Sequence, residues 1–154
     1  MELNQFIISR EHRNGYDHAF RLAGGETIEV GMNEILSGAG VRRTEAWEYE
    51  SVINEKTAGI VYVATQDSEP PFEEVIKVAK KHNLPVIVDG DGGYGNALNV
   101  MKTIEELEYA GASMVTLEDT ILPRRHREAA LSLISIAEAK NKLKAALRAR
   151  SDNN

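Results

Sequence analysis

Five short apolar runs, each separated from the next by a stretch of helical periodicity, constrain this chain more than any other feature. The runs are Phe6-Ile-Ile8, Thr27 to Val30, Gly59-Ile-Val-Tyr-Val-Ala64, Pro85-Val-Ile-Val-Asp89 and Met114 to Leu117. β-rich runs that alternate with amphipathic segments predict βα units and a parallel sheet. Asn14 suits the N-cap of a first helix, which Gly24-Gly25 stops. Gly38 and Gly40 mark a loop, and Thr44 suits the cap of a second helix through about Ile53, with Trp47 as its core anchor. Pro70-Pro71 opens a third helix, striped by Phe72, Val75, Ile76 and Ala79. Val100, Met101, Ile104 and Leu107 stripe a fourth, which Gly111 ends. A short helix is expected from Arg127 to Leu133. Ser135-Ile-Ala-Glu138 then reads as a capping box for a last helix, with Ile136, Ala139, Leu143, Ala146 and Leu147 facing inward and a frayed tail from Ser151.

Five βα units are too few to close an eight-stranded barrel. Right-handed crossovers then leave an open sheet with helices on both faces. The expected fold is therefore α/β: a three-layer, open parallel sheet of five strands in the flavodoxin-like order 2-1-3-4-5, one domain over 1–154. The alternative architecture is a half-barrel that pairs with a second copy, so the chain is expected as a monomer or homodimer.

Composition narrows the chemistry. A net charge of −6 argues against nucleic acid or a membrane as partner. The basic pairs Arg42-Arg43, Lys80-Lys81 and Arg124-Arg125 are short and separated. With no cysteine, disulfides, thiolate metal sites and a cysteine nucleophile are all excluded. No apolar run approaches the ~18 residues of a membrane span, and Met1 to Gln5 has no signal-peptide pattern. A cytoplasmic or recombinant protein is the expectation. His12, His18, His82 and His126 show no H-x-x-x-H or H-x-H spacing, so a histidine metal site has no support. Ser9 lacks the Gly-x-Ser-x-Gly setting of a nucleophile.

Two resemblances carry more. Arg10-Glu-His-Arg-Asn-Gly-Tyr-Asp-His-Ala-Phe-Arg-Leu-Ala-Gly24, Asn54-Glu-Lys-Thr-Ala-Gly-Ile-Val-Tyr-Val-Ala64 and Leu84-Pro-Val-Ile-Val-Asp89 resemble the large domain of fold-type-I pyridoxal phosphate (PLP) enzymes of the selenocysteine-synthase-like group, over about 6–89. That resemblance implies that Asp89 would face a pyridine nitrogen. It also requires a Schiff-base lysine near 117–125, yet no lysine lies between Lys102 and Lys140. Covalent PLP catalysis is not expected, and no organic cofactor is assigned.

From about 85 to 152 the chain resembles the isocitrate lyase and phosphoenolpyruvate mutase superfamily. The matching text is Val88-Asp-Gly-Asp-Gly-Gly-Tyr-Gly-Asn-Ala-Leu-Asn-Val-Met101, Glu105-Glu-Leu-Glu-Tyr-Ala-Gly111, Leu117-Glu-Asp119 and the helix into Arg150. The resemblance implies Mg²⁺ on carboxylates at the strand ends, with Asp89, Asp91 and Glu118 in those places. It also implies a ligand loop of Gly92, Gly93, Tyr94 and Gly95. Hard oxygen donors suit Mg²⁺, held weakly here. The bland alternative has Asp91 and Asn96 capping the next helix while the glycines make the turn. This sequence also departs from the family pattern. Asp91-Gly-Gly-Tyr-Gly95 lacks a threonine hydroxyl, and Pro123-Arg-Arg-His-Arg127 lacks the lysine and general-acid cysteine of the lyase loop. No catalytic residue is therefore assigned, although His126 is able to donate a proton. A receiver-like module fits poorly, since only Asp67 stands near a phosphoacceptor position. The two resemblances share one strand, so the simplest expectation is a designed or recombined chimeric scaffold with no efficient activity. The alternative is a remnant Mg²⁺-dependent carbon–carbon lyase acting on small α-keto or hydroxy acids.

Overall fold

The computed structural model describes residues 2–31, 35–36, 40–41, 43–65, 68–121 and 132–152. The elements in chain order are β1 (Gln5–Ser9), α1 (His18–Leu22), β2 (Glu26–Val30), β3 (Ile35–Leu36), β4 (Gly40–Val41), α2 (Ala46–Ser51) and β5 (Thr57–Val63). They continue with α3 (Phe72–Lys81), β6 (Val86–Asp89), α4 (Ala97–Ala110), β7 (Met114–Thr116) and α5 (Ile136–Ala149). Five strands form one all-parallel sheet in the order β2-β1-β5-β6-β7. Counted within that sheet alone, the order is 2-1-3-4-5, as the run of βα units predicts. The chain divides into two compact units, Met1–Val88 and Asp89–Asn154.

In the first unit β1 lies between β2 and β5, with Ile7 opposite Ile28 of β2 and Ile60 of β5. Ile7, Ile8, Ile60, Val61 and Val86 are buried, the pattern of strands covered on both faces. α3 buries Val75, Ile76, Val78 and Ala79, a stripe at helical spacing, and leaves Phe72 only half-buried. Several local expectations are corrected. Asn14 is an N-cap as expected, its side chain accepting the Tyr16 amide at 2.8 Å, but of a 3₁₀ turn (Gly15–Asp17) that leads into α1. β3 and β4 pair antiparallel where a plain loop was expected; Gly38 lies outside the described residues. Thr44 does not cap α2. Its hydroxyl is buried against Ser9 at 2.9 Å, and Glu45 and Glu48 form the capping box instead. Trp47 is 54% exposed, its indole nitrogen donating to Glu45, while Tyr49 fills the core. Two residues carry the side chain roughly halfway round the helix, so the two rings lie on opposite faces and only Tyr49 is on the inner one.

The second unit holds α4, β7 and α5. Val100, Ile104 and Ala146 form its core, with Val115, Leu117 and Ala149 packed on it. The inward face expected for α5 holds at Ala146 and is corrected at its large residues. Ala145 and Ala146 are the buried positions, whereas Ile136, Leu143 and Leu147 are more than half exposed. Small residues let α5 approach α4 closely, which turns the larger side chains outward. The tail is tied down through 152: the amides of Ser151 and Asp152 donate to the Glu108 carboxylate at 2.8 and 2.7 Å. Those bonds hold the Glu108 carboxyl below the usual carboxylate range. Most of the short helix expected from Arg127 lies outside the described residues, and Leu133, its last residue, is bridged to Thr120 instead.

His12 generates a prediction for the first unit. Its ring is 6% exposed, stands edge-on to Tyr62 at 4.7 Å between centroids, and offers two nitrogens that meet no hydrogen-bond partner among the described residues. Burial lowers its pKa, with the Glu11 carboxylate acting weakly the other way. Below the ordinary histidine value of about 6.5 the unfolded chain binds a proton that the folded chain refuses, so stability falls as pH falls. In urea unfolding, His12→Leu should flatten the slope of stability against pH just below that value by up to about 1.4 kcal/mol per pH unit. An unchanged slope would contradict the assignment.

Candidate functional site

The second unit begins at the end of β6, where the chain leaves the sheet at Asp89 and makes a tight turn before α4. Asp89 Oδ1 accepts the Asp91 amide at 3.0 Å, and the Gly93 amide donates to the Gly90 carbonyl at 2.9 Å. Gly90 has little room to grow. A Cβ there would lie 3.0 Å from Val115 Cγ1 and 3.2 Å from the Thr116 carbonyl, so the position is close-packed. Gly93 takes φ +75°, and a Cβ on it would stand 2.5 Å from Val100. Asp91 and Tyr94 adopt positive φ without being glycine, at 49° and 56°. Such backbone persists where surrounding contacts over-determine it.

Asn96, not Asp91, caps α4: its side chain accepts the Leu98 and Asn99 amides and forms a reciprocal box with Asn99. Asp91 is therefore left in the turn, exposed. β7 delivers Glu118 beside it. The Gly90 amide donates to Thr116 O at 3.0 Å, and the Glu118 amide donates to Asp91 O at 2.7 Å. Thr120 donates its hydroxyl to Glu118 Oε2 at 2.9 Å. Residues 119–121 then pair with 132–134 through two backbone bonds, Ile121 to Ser132 at 2.8 Å and Ile134 to Asp119 at 2.9 Å.

These segments enclose a cavity of about 700 Å³ lined by Asp91, Tyr94, Asn96, Thr120, Glu138 and Lys142, among others. Gly92 and Gly95 line it as well, whereas Gly93 packs on α4. The phenol of Tyr94 is half exposed, and its pKa is raised by partial burial and then by the negative charges of Asp91 and Asp89. Lys142 reaches the Gly92 carbonyl at 3.1 Å.

Asp89, Asp91 and Glu118 are thus neighbours along two strand ends. Their side chains do not converge, since no group of three or more His, Asp or Glu among the described residues stands close enough to hold a metal directly. The donor set itself is all carboxylate oxygen, which fits a hard divalent cation that keeps several of its own waters. His126 and the loop from Pro123 to Arg127 lie outside the described residues, as does Asp67. The sequence reading missed Lys142 and Thr120. A signal existed for the lysine: Glu138 and Lys142 stand four apart and interrupt the apolar face of α5.

The phosphoenolpyruvate phosphomutase family model matches residues 58–154. The chain belongs to that family. An oxaloacetate decarboxylase of Rhodopseudomonas palustris is 54% identical over 82 residues, which is 53% of this chain and 28% of the relative. Oxaloacetate decarboxylase 1 of Pseudomonas fluorescens is 49% identical over 81 residues, again 28% of its length. The chain thus spans little more than a quarter of these relatives. Among solved structures, a phosphonopyruvate hydrolase in complex with oxalate and Mg²⁺ aligns over 97% of this chain and 44% of its own, at TM-score 0.54 and 23% identity. D-glucosaminate-6-phosphate ammonia-lyase aligns over 73% of this chain and 28% of its own, at TM-score 0.57 and 29% identity.

The expectation of a designed or recombined chimera without efficient activity is overturned by these matches. The family match starts at residue 58, a strand and a helix before the strand that both resemblances share. Residues 58–84 thus belong to the match and are not the end of a foreign part. The likeness to the ammonia-lyase runs alongside it as a likeness of fold.

The geometry makes two predictions. Gly93→Ala should cost about 1–3 kcal/mol in urea unfolding, because it adds both backbone strain and a clash with Val100; a neutral change would contradict the packing. In ultraviolet titration, Asp91→Asn should lower the Tyr94 phenol pKa toward the ordinary tyrosine value by removing a neighbouring negative charge. Tyr94→Phe identifies which transition belongs to it. No movement would separate the two groups.

Proposed function

We propose that this chain carries part of the active site of a Mg²⁺-dependent carbon–carbon lyase, and within that class a decarboxylase of a small 2-oxo dicarboxylate such as oxaloacetate. The observation that carries the reading is the paired strand ends, where Asp91 O and the Glu118 amide meet at 2.7 Å beside the cavity. The family match over residues 58–154, which includes these strand ends, and the 54% identity to an oxaloacetate decarboxylase over 82 residues support it.

Loss of CO₂ from a 2-oxo dicarboxylate needs an electron sink at the keto oxygen and no base at the bond that breaks. The departing carboxylate leaves its electron pair on the carbon next to the ketone, negative charge develops on the keto oxygen, and a proton from solvent completes the 2-oxo acid product. A bound Mg²⁺ would supply positive charge that offsets the charge growing on that oxygen. Asp89, Asp91 and Glu118 would hold the ion, in part through its retained waters. Tyr94 lines the cavity, and partial burial followed by the charges of Asp91 and Asp89 favours its protonated phenol, a hydrogen-bond donor for a substrate oxygen. Thr120 holds the Glu118 carboxylate in place. The missing lysine and cysteine of the lyase loop weigh against substrates whose cleavage requires protein acid–base chemistry. They weigh less against decarboxylation.

The test is formation of the 2-oxo acid product from oxaloacetate, with Mg²⁺ or with chelator, measured against a protein-free Mg²⁺ control. The expected result is a chelator-sensitive rate above the control that Asp91→Asn lowers about 10–100-fold. A rate equal to the control, or one that Asp91→Asn leaves intact, would overturn the reading.

A further inference from the structure

We infer that Lys142 is a positioning residue: its ammonium on α5 clamps the Gly92 carbonyl and fixes the strained Asp91–Gly95 loop in the shape that presents Asp91 and Tyr94 to the cavity. The inference rests on the proposed role of that loop, and it begins from the loop's carbonyls. Three consecutive ones are each held by a different element. Asp91 O accepts the Glu118 amide at 2.7 Å, from the end of β7. Gly92 O accepts Lys142 Nζ at 3.1 Å, from α5. Gly93 O accepts the Thr103 hydroxyl at 3.5 Å, from α4, at the outer limit for such a bond.

Of these three donors only Lys142 is charged, and charge-assisted hydrogen bonds are about twice as strong as neutral ones. Thr103 has a better acceptor elsewhere, the Asn99 carbonyl at 2.9 Å. The clamp therefore falls mainly to the lysine in the middle of the loop. What it holds needs holding, because Asp91 and Tyr94 on either side both have positive φ and would relax toward ordinary backbone if released.

The aim of the lysine is itself fixed by packing. Ala145 and Ala146, just beyond it on α5, are buried, with Ala146 in the core alongside Val100 and Ile104 of α4. The far end of the helix is tied by the Ser151 and Asp152 amides to Glu108 on α4. α5 is therefore anchored at its middle and just past its C-terminus, and Lys142 projects from the turn between that anchor and the cavity. A surface lysine is ordinarily a solvated, mobile cation. This one is half-buried and lines the cavity that Asp91 and Tyr94 also line.

The test reads the loop without metal first. Amide hydrogen exchange is followed at Gly93 and Glu118, whose amides bond within and onto the loop, and at Val100 and Ile104 in α4. Lys142→Met should speed exchange at Gly93 and Glu118 by about tenfold, the loss of one charge-assisted bond, and leave Val100 and Ile104 unchanged. Lys142→Arg, which keeps a charged donor, should stay near the parent protein. Calorimetric titration with Mg²⁺ should then show affinity about tenfold weaker in Lys142→Met than in the parent. Unchanged exchange at Gly93 and Glu118 would overturn the inference. So would acceleration spread evenly through α4, which would make the lysine a general stabiliser. Loop loosening in a protein that binds no Mg²⁺ even with Lys142 intact would uphold the clamp and overturn the site reading alone.

Discussion

The bond from the Glu118 amide to the Asp91 carbonyl, at 2.7 Å, is the constraint on which the site depends. With the Gly90 amide on Thr116 O it carries the pairing of β6 and β7 past the last residues of both strands. In a parallel sheet the side chains that leave adjacent strand ends emerge on the same edge, where open α/β proteins gather their ligands. Pairing beyond the strand ends keeps Asp91 and Glu118 adjacent even though the chain turns sharply between Asp89 and Asn96. Gly90 makes this possible because any side chain there would press on Val115 and Thr116.

The turn shows how a loop acquires a conformation its residues do not favour. Asp91 and Tyr94 are held at positive φ by neighbours on every side: the Asp89 carboxylate, the strand-end bond, the close packing of Gly93 on Val100, and the Asn96 cap that starts α4. Capping falls to Asn96, so Asp91 remains in the turn with its carboxylate facing the cavity and raising the phenol pKa of Tyr94. Asp91, Glu138, the Tyr94 phenol and the Lys142 ammonium then line one concave surface, an apolar-walled hollow with a few convergent polar groups.

Much of this was legible in the sequence, for reasons that can be named. The five apolar runs gave the parallel sheet and its strand order, because right-handed crossovers leave few alternatives. Asp89, Asp91 and Glu118 stood out through the resemblance to the phosphoenolpyruvate mutase superfamily, which implies carboxylates at strand ends, and the glycine loop through its text in that same motif. Other features depended on tertiary context. Trp47 and Tyr49 are two residues apart on a short helix, and periodicity over six residues does not say which ring is buried. On α5 the large apolar residues suggested the inner face, yet close approach of two helices favoured Ala145 and Ala146. Lys142 reads as a surface charge until the fold brings it to Gly92, fifty positions away in sequence. The expectation of an inactive chimera failed because it drew a boundary at a strand that the family match runs straight through.

The claim underlying this account is that the ends of β6 and β7 form a cation site. Replacing Mg²⁺ by paramagnetic Mn²⁺ and following amide line broadening by NMR reads that claim directly. The account predicts broadening centred on Asp91, Gly92 and Glu118 that Glu118→Gln diminishes. Broadening concentrated on the exposed carboxylates of α4, at Glu105, Glu106 and Glu108, with the strand ends untouched, would contradict it.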